Sequence, residues 1–107
     1  MFVQINTDNQ IKSDAEANER LEGTLREKLG RFEDRLTHVE VHVSDINGPK
    51  GGDGDKRVSL EARPNGHQPI AVTAEGARID DAIGNAAGKA VRALDRLFGK
   101  LSDRKGH

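Results

Sequence analysis

His38, Glu40 and His42 alternate through the segment HVEVHVS (38–44), so all three side chains leave one face of an extended strand. Imidazoles and a carboxylate at this spacing can share a divalent cation. The set stops at three, with no fourth ligand apparent, and the competing reading is a solvated sheet face. His-x-Glu also opens the zinc-deaminase signature, but that signature needs a later Pro-Cys-x-x-Cys and the chain has no cysteine. The same lack excludes thiolate zinc sites, disulfides and a thiol nucleophile. No Gly-x-Ser-x-Gly nucleophile elbow occurs. Acids and histidines are plentiful, yet no spacing isolates a catalytic pair. The expectation is a non-enzyme with no cofactor, no metal and no small-molecule substrate.

The stretch GPKGGDGDKR (48–57) is the second candidate, with four of the chain's 12 glycines among its first seven residues. A phosphate-binding Walker loop needs G-x-x-x-x-G-K followed by Ser or Thr and then a helix. Here Asp55 separates Gly54 from Lys56, Arg57 follows, and a strand pattern comes next. An EF-hand counted from Asp45 would have lysine, Lys50 and Lys56, at its sixth and twelfth positions, where glycine and glutamate are required. A single GGDGD cannot build a calcium-binding β-roll. What remains is a long hairpin connection. The other reading is a loop that orders on a partner, with Lys50, Lys56 and Arg57 touching phosphate.

Charge is arranged more informatively on the helices. Lys89, Arg92, Arg96, Lys100 and Arg104 recur at three- and four-residue steps, a basic stripe set off from an apolar one centred on Leu94 and Leu101. Upstream, Arg20, Lys28, Arg31 and Arg35 gather on one flank of a Leu25–Phe32 stripe. Glu19, Glu22 and Glu33 gather on the other, with Arg26 the exception. Charged residues are 33 % of the chain and the net charge is −1, which argues against a bulk polyanion binder but not against a local basic surface. If the two basic flanks adjoin, they form a phosphate-binding patch; otherwise they keep the helices solvated.

These residues need elements to hold them. FVQIN (2–6) alternates as a first strand. Ser13 and Glu16 form a capping-box pattern, and Ala17, Leu21, Leu25, Leu29, Phe32 and Leu36 mark one face of a helix from Asp14 to about Leu36. Strands follow at 38–44, with Val39, Val41 and Val43 inward, at 56–64, with Val58, Leu60 and Ala62 inward, and at 69–75. PNG (64–66) is turn chemistry. From about Arg78 the helical period returns through Ile79, Ile83, Ala87, Ala90, Leu94 and Phe98 to Leu101. Asp80 and Asp81 suit the start of this helix, and Lys100, Arg104 and Lys105 suit its end.

The predicted order is β-α-β-β-β-α, an α+β domain with a four-stranded sheet and both helices on one face. The first two strands are parallel neighbours joined through the helix, and the others form hairpins. Residues 1–104 make one domain, with 105–107 a frayed tail. The start MFVQINTDNQ is not a signal peptide and no segment suits a bilayer, so the expected location is cytoplasmic, with no membrane partner. The aromatics are only Phe2, Phe32 and Phe98, the last two in core stripes, so base stacking on the sheet is not expected. Any RNA contact should be to backbone and shape.

The start VQIN, the segment KLGRFEDRLTHVEVHVSD (28–45) and the closing AIGNAAGKAVRALDRLFGKL (82–101) resemble the ribosome hibernation-promoting factor and ribosome-associated inhibitor family, some of whose members carry the label sigma-54 modulation protein. The likeness runs from about Val3 to Arg104 and rests on diffuse motifs. It implies a double-stranded-RNA-binding-domain-like fold that binds the small ribosomal subunit and its 16S-type RNA. There it occupies the channel of messenger and transfer RNA and blocks initiation in stressed or stationary cells. The family's RNA contacts are basic residues of both helices, matched here by Lys28, Arg31, Lys89, Arg92 and Arg96, with Lys100 continuing the stripe. The chain ends soon after the second helix, so the C-terminal domain with which long members pair two ribosomes is not expected. The alternative is a non-ribosomal binding module on the same fold, taking a protein partner or forming a weak homodimer through an exposed sheet edge.

Overall fold

The computed structural model describes residues 1–8, 15–46 and 56–106, with side chains to residue 99. Strand β1 (Phe2–Thr7) leads to helix α1 (Ala15–Lys28) and a 3-10 turn at Gly30–Arg35. Strands β2 (Leu36–Asp45), β3 (Lys56–Pro64) and β4 (Ile70–Gly76) follow, and helix α2 (Ile79–Gly106) closes the chain. The sheet runs β1-β2-β3-β4, with β1 parallel to β2 and the other pairs antiparallel. This is the predicted order, topology and pairing. Among the described residues no helix is long and apolar enough to cross a membrane.

The core explains why the periods were readable. Val39, Val41 and Val43 of β2 and Val58, Leu60 and Ala62 of β3 are buried, and alternate residues face outward. Against this one face pack Leu21 and Leu25 of α1 and Ala82, Ile83, Ala86, Ala87, Ala90 and Leu94 of α2. The four alanines let α2 lie close to the sheet. Among the described residues the other face of the sheet carries no helix. Truncating a fully buried residue such as Leu94 to alanine leaves a cavity costing about 2–5 kcal/mol.

One boundary differs from the sequence expectation. The helix predicted to Leu36 stops at Lys28, and Leu29, in a bridge conformation (φ −99°, ψ 8°), starts the 3-10 turn. Leu29 and Phe32 stay buried inside that turn, and Leu36 is buried as the first residue of β2. A bulge between Leu36 and His38 then adds one residue, Thr37, to β2. It allows Leu36 and Val39, three apart, to point to the same side. Three- and four-residue apolar spacing therefore continues past the end of the α-helix.

Two glycines set the connections around β4. His67 N–H donates to the Pro64 carbonyl (3.1 Å), and Gly66 between them has φ +80°, the third residue of a type II turn. At the other end a Cβ on Gly76 would stand 2.7 Å from the Ala82 nitrogen, so only glycine lets β4 pass the first turn of α2 at this distance. The capping Ser13 and the glycine-rich stretch from 47 to 55 lie outside the described residues.

Candidate nucleic-acid interface

Helix α1 and the turn after it lie alongside α2, and the basic flank of α1 is the side that faces α2. Arg20 reaches Asp80 at 3.3 Å and Arg31 pairs with Asp95. Arg31 also lies over the Phe32 ring, 4.8 Å from its centroid, and Arg35 lies over Phe98 at 4.7 Å. Phe32 and Phe98 stack at 5.8 Å. Lys28 crosses α2 at Gly84, where a Cβ would stand 3.8 Å from its Cε. The two basic flanks therefore adjoin, as the patch requires, but Asp80 and Asp95 neutralise part of the seam.

The α2 stripe is divided by its partners. Lys89 Nζ donates to the Thr73 carbonyl at 2.7 Å. Asn85 Nδ2, one helical turn earlier, donates to the Glu75 carbonyl at 2.9 Å. Both acceptors belong to β4, one of the two edge strands. Arg92 and Arg96 are exposed and have no ion-pair partner among the described residues. The Arg92 guanidinium turns back along the helix, with Nη1 3.7 Å from where a Gly88 Cβ would be. Gly84 and Gly88 thus give α2 a strip of bare backbone with Lys28 at one end and Arg92 at the other. Beside it, Glu75, Asn85, Gly88, Lys89 and Arg92 line a shallow groove of about 320 Å³.

Of the six predicted contacts, Lys28, Arg92 and Arg96 present charge without an ion-pair partner among the described residues. Arg31 and Lys89 are engaged, and the side chain of Lys100 lies outside the described residues. Of the loop candidates, Lys56 lies 3.6 Å from Asp45 and Arg57 pairs with Glu75 at 2.9 Å, while Lys50 lies outside the described residues. Sequence reasoning missed the part played by Asn85. The only hint was its place one turn before Lys89, which means nothing until β4 is known to lie beneath both.

His38, Glu40 and His42 do share the open face of the sheet, but each has its own neighbour. His38 meets the Phe2 ring at 5.2 Å, Glu40 accepts from Asn6 Nδ2 at 3.3 Å, and His42 Nε2 lies 2.8 Å from Asp8 Oδ1. Among the described residues no three acidic, histidine or cysteine side chains converge as a metal site.

A family model described as sigma 54 modulation protein / S30EA ribosomal protein matches residues 7–102. Among solved structures, the N-terminal domain of Protein Y from Thermus thermophilus superposes with a TM-score of 0.71 at 18 % identity, covering 91 % of this chain and 99 % of that one. A ribosomal subunit interface protein from Coxiella burnetii gives 0.69 at 15 % identity, covering 92 % and 99 %. No curated protein sequence matches significantly. The two structures are similar in fold, while the matched span of sequence takes in α1, β2, β3, β4 and nearly all of α2. The chain therefore belongs to the family of sigma-54 modulation proteins and S30EA ribosomal proteins.

Proposed function

We propose that the protein is a ribosome-binding factor that sits in the messenger and transfer RNA channel of the small subunit and inhibits translation by occlusion. Catalysis has no part in this reading. Family membership supports the ribosome as target, since one fold neighbour is itself named for the ribosomal subunit interface. The observation that carries the choice of surface is the pair Arg92 and Arg96, exposed on α2 without an ion-pair partner among the described residues. Lys28 joins them across the Gly84–Gly88 strip. Lys89 adds an ammonium group that keeps two of its three donors after bonding Thr73. Arg31 flanks this set, and Lys100 continues the stripe in sequence. Guanidinium and ammonium groups without carboxylate partners are the ones that phosphates can take at least cost.

Co-sedimentation with purified small ribosomal subunits tests the reading. The wild type is compared with Arg92→Glu/Arg96→Glu and with Lys89→Glu/Arg92→Glu/Arg96→Glu at two salt concentrations. Binding by the wild type that both variants lose is the expected result. A wild type that stays in the supernatant at low salt would remove the ribosomal reading and leave the fold with another partner.

A further inference from the structure

The sheet face turned away from the helices is polar except at Phe2 and the small Ala71. Phe2 is 59 % exposed, and it and Ile46 are the exposed large hydrophobics among the described residues. The Phe2 ring stands 5.2 Å from that of His38, tilted by 55°. Strand register extends the pair into a row, because Phe2 lies opposite His38 and His38 opposite Arg63. Val3, Val39 and Ala62, the next residues on β1 and β2 and the preceding one on β3, point into the core, so these three side chains point outward. Strands about 4.8 Å apart make the row roughly 10 Å long. The Arg63 guanidinium is held by two hydrogen bonds to Glu61, at 3.1 and 3.0 Å, which restrict its plane.

A phenyl ring, an imidazole and a guanidinium each offer a flat face on which a nucleobase stacks, and the guanidinium adds its charge to the base's π face. The neighbouring row on the same face, Gln4–Glu40–Glu61, holds two carboxylates. These repel phosphate, so an RNA strand meeting this face would turn a base toward it and keep its backbone away. We propose that Phe2, His38 and Arg63 form a stacking platform for one unpaired nucleobase of RNA, on the face opposite the basic stripe. The proposal rests on the ribosomal reading and adds a base contact on the open sheet face to the phosphate contacts of α2. It departs from the expectation of no base stacking on the sheet. That expectation counted aromatic residues, whereas the row depends on register across three strands.

The test is an NMR titration of the labelled protein with a single-stranded hexa-adenosine RNA. Ring-current shifts are expected at the Phe2 and His38 rings and the Arg63 Nε–H. Affinity should fall about 5- to 100-fold in Phe2→Ala, and Phe2→Trp should retain it. With Lys89→Ala/Arg92→Ala/Arg96→Ala the ring shifts should persist at higher RNA concentration. Shifts confined to α2 would overturn the platform and leave the ribosomal reading standing. No shift anywhere overturns it too, and co-sedimentation then decides separately on the ribosome. Phe2 and His38 signals that move with protein concentration before RNA is added would give this face to a second copy of the chain instead.

Discussion

Cations of the same type differ here in what already holds them. Arg92 and Arg96 stand free of carboxylates among the described residues, whereas Arg31 is tied to Asp95 and packed on Phe32. Arg92→Ala and Arg96→Ala should therefore leave the melting temperature nearly unchanged. Each should also lower the slope of log affinity against log salt for the small subunit by about one. Arg31→Ala should lower the melting temperature as well, because it removes a ring contact along with an exposed ion pair worth up to about 1 kcal/mol. Equal melting shifts in all three variants would contradict this division. Two glycines give a second pair of opposite outcomes. Gly23 is in the middle of α1 and a Cβ there would meet nothing within 4 Å, so Gly23→Ala should stabilise by about 1 kcal/mol through helix propensity. At Gly76 the added carbon would collide with backbone at 2.7 Å, and Gly76→Ala should destabilise by about 1–3 kcal/mol. Urea melts of the two variants beside the wild type read both signs.

At the scale of elements, α2 closes the edge that β4 would leave open. Asn85 and Lys89 are one turn apart, about 6 Å along the helix axis. The carbonyls they bond, Glu75 and Thr73, are two residues apart on the strand, a span of nearly 7 Å. The helix thus satisfies two edge carbonyls that another strand could otherwise use. Asn85→Ala/Lys89→Ala should speed amide exchange in β4 and produce a concentration-dependent dimer in sedimentation velocity. Unchanged exchange and a monomer at every concentration would mean that these bonds do not guard the edge. The same contact makes Arg92→Glu/Arg96→Glu the cleaner charge reversal, since Lys89→Glu also disturbs β4. Sequence showed these elements because Val39, Val41 and Val43 alternate and Ile83, Ala87, Ala90 and Leu94 recur at helical steps, each pattern set by one buried face. It did not show where α1 ends, since the 3-10 turn and the bulge at Thr37 bury Leu29, Phe32 and Leu36 at spacings a helix would also give. The basic positions were legible as residue types. Which of them were already engaged was not, because Asp80, Asp95 and the Thr73 carbonyl are distant in the chain and near only in the fold.

The whole molecule has two unlike faces and almost no net charge. From Arg78 onward the chain holds seven basic and four acidic residues, yet the total is −1. On the open sheet face Arg57 and Arg63 are matched by Glu75 and Glu61. A polyanion at a distance beyond the Debye length, about 8 Å at physiological salt, meets a nearly neutral body. Attraction begins only when the α2 surface is close, so long-range steering contributes little to association and orientation matters more. The equilibrium affinity should still be strongly dependent on salt, because that dependence follows the phosphates neutralised in the complex and not the net charge. If Lys28, Lys89, Arg92 and Arg96 each neutralise one phosphate, log affinity should fall against log salt with a slope of roughly −3 to −4. Titrating small subunits with labelled protein across several salt concentrations measures this slope, and stopped-flow mixing measures the association rate at each. The expected pattern is a steep slope in affinity carried mainly by dissociation, with an association rate that changes little. A slope near zero would remove the phosphate contacts. A slope carried mainly by association would mean that the basic stripe acts over a longer range than the balanced charges of the other faces allow.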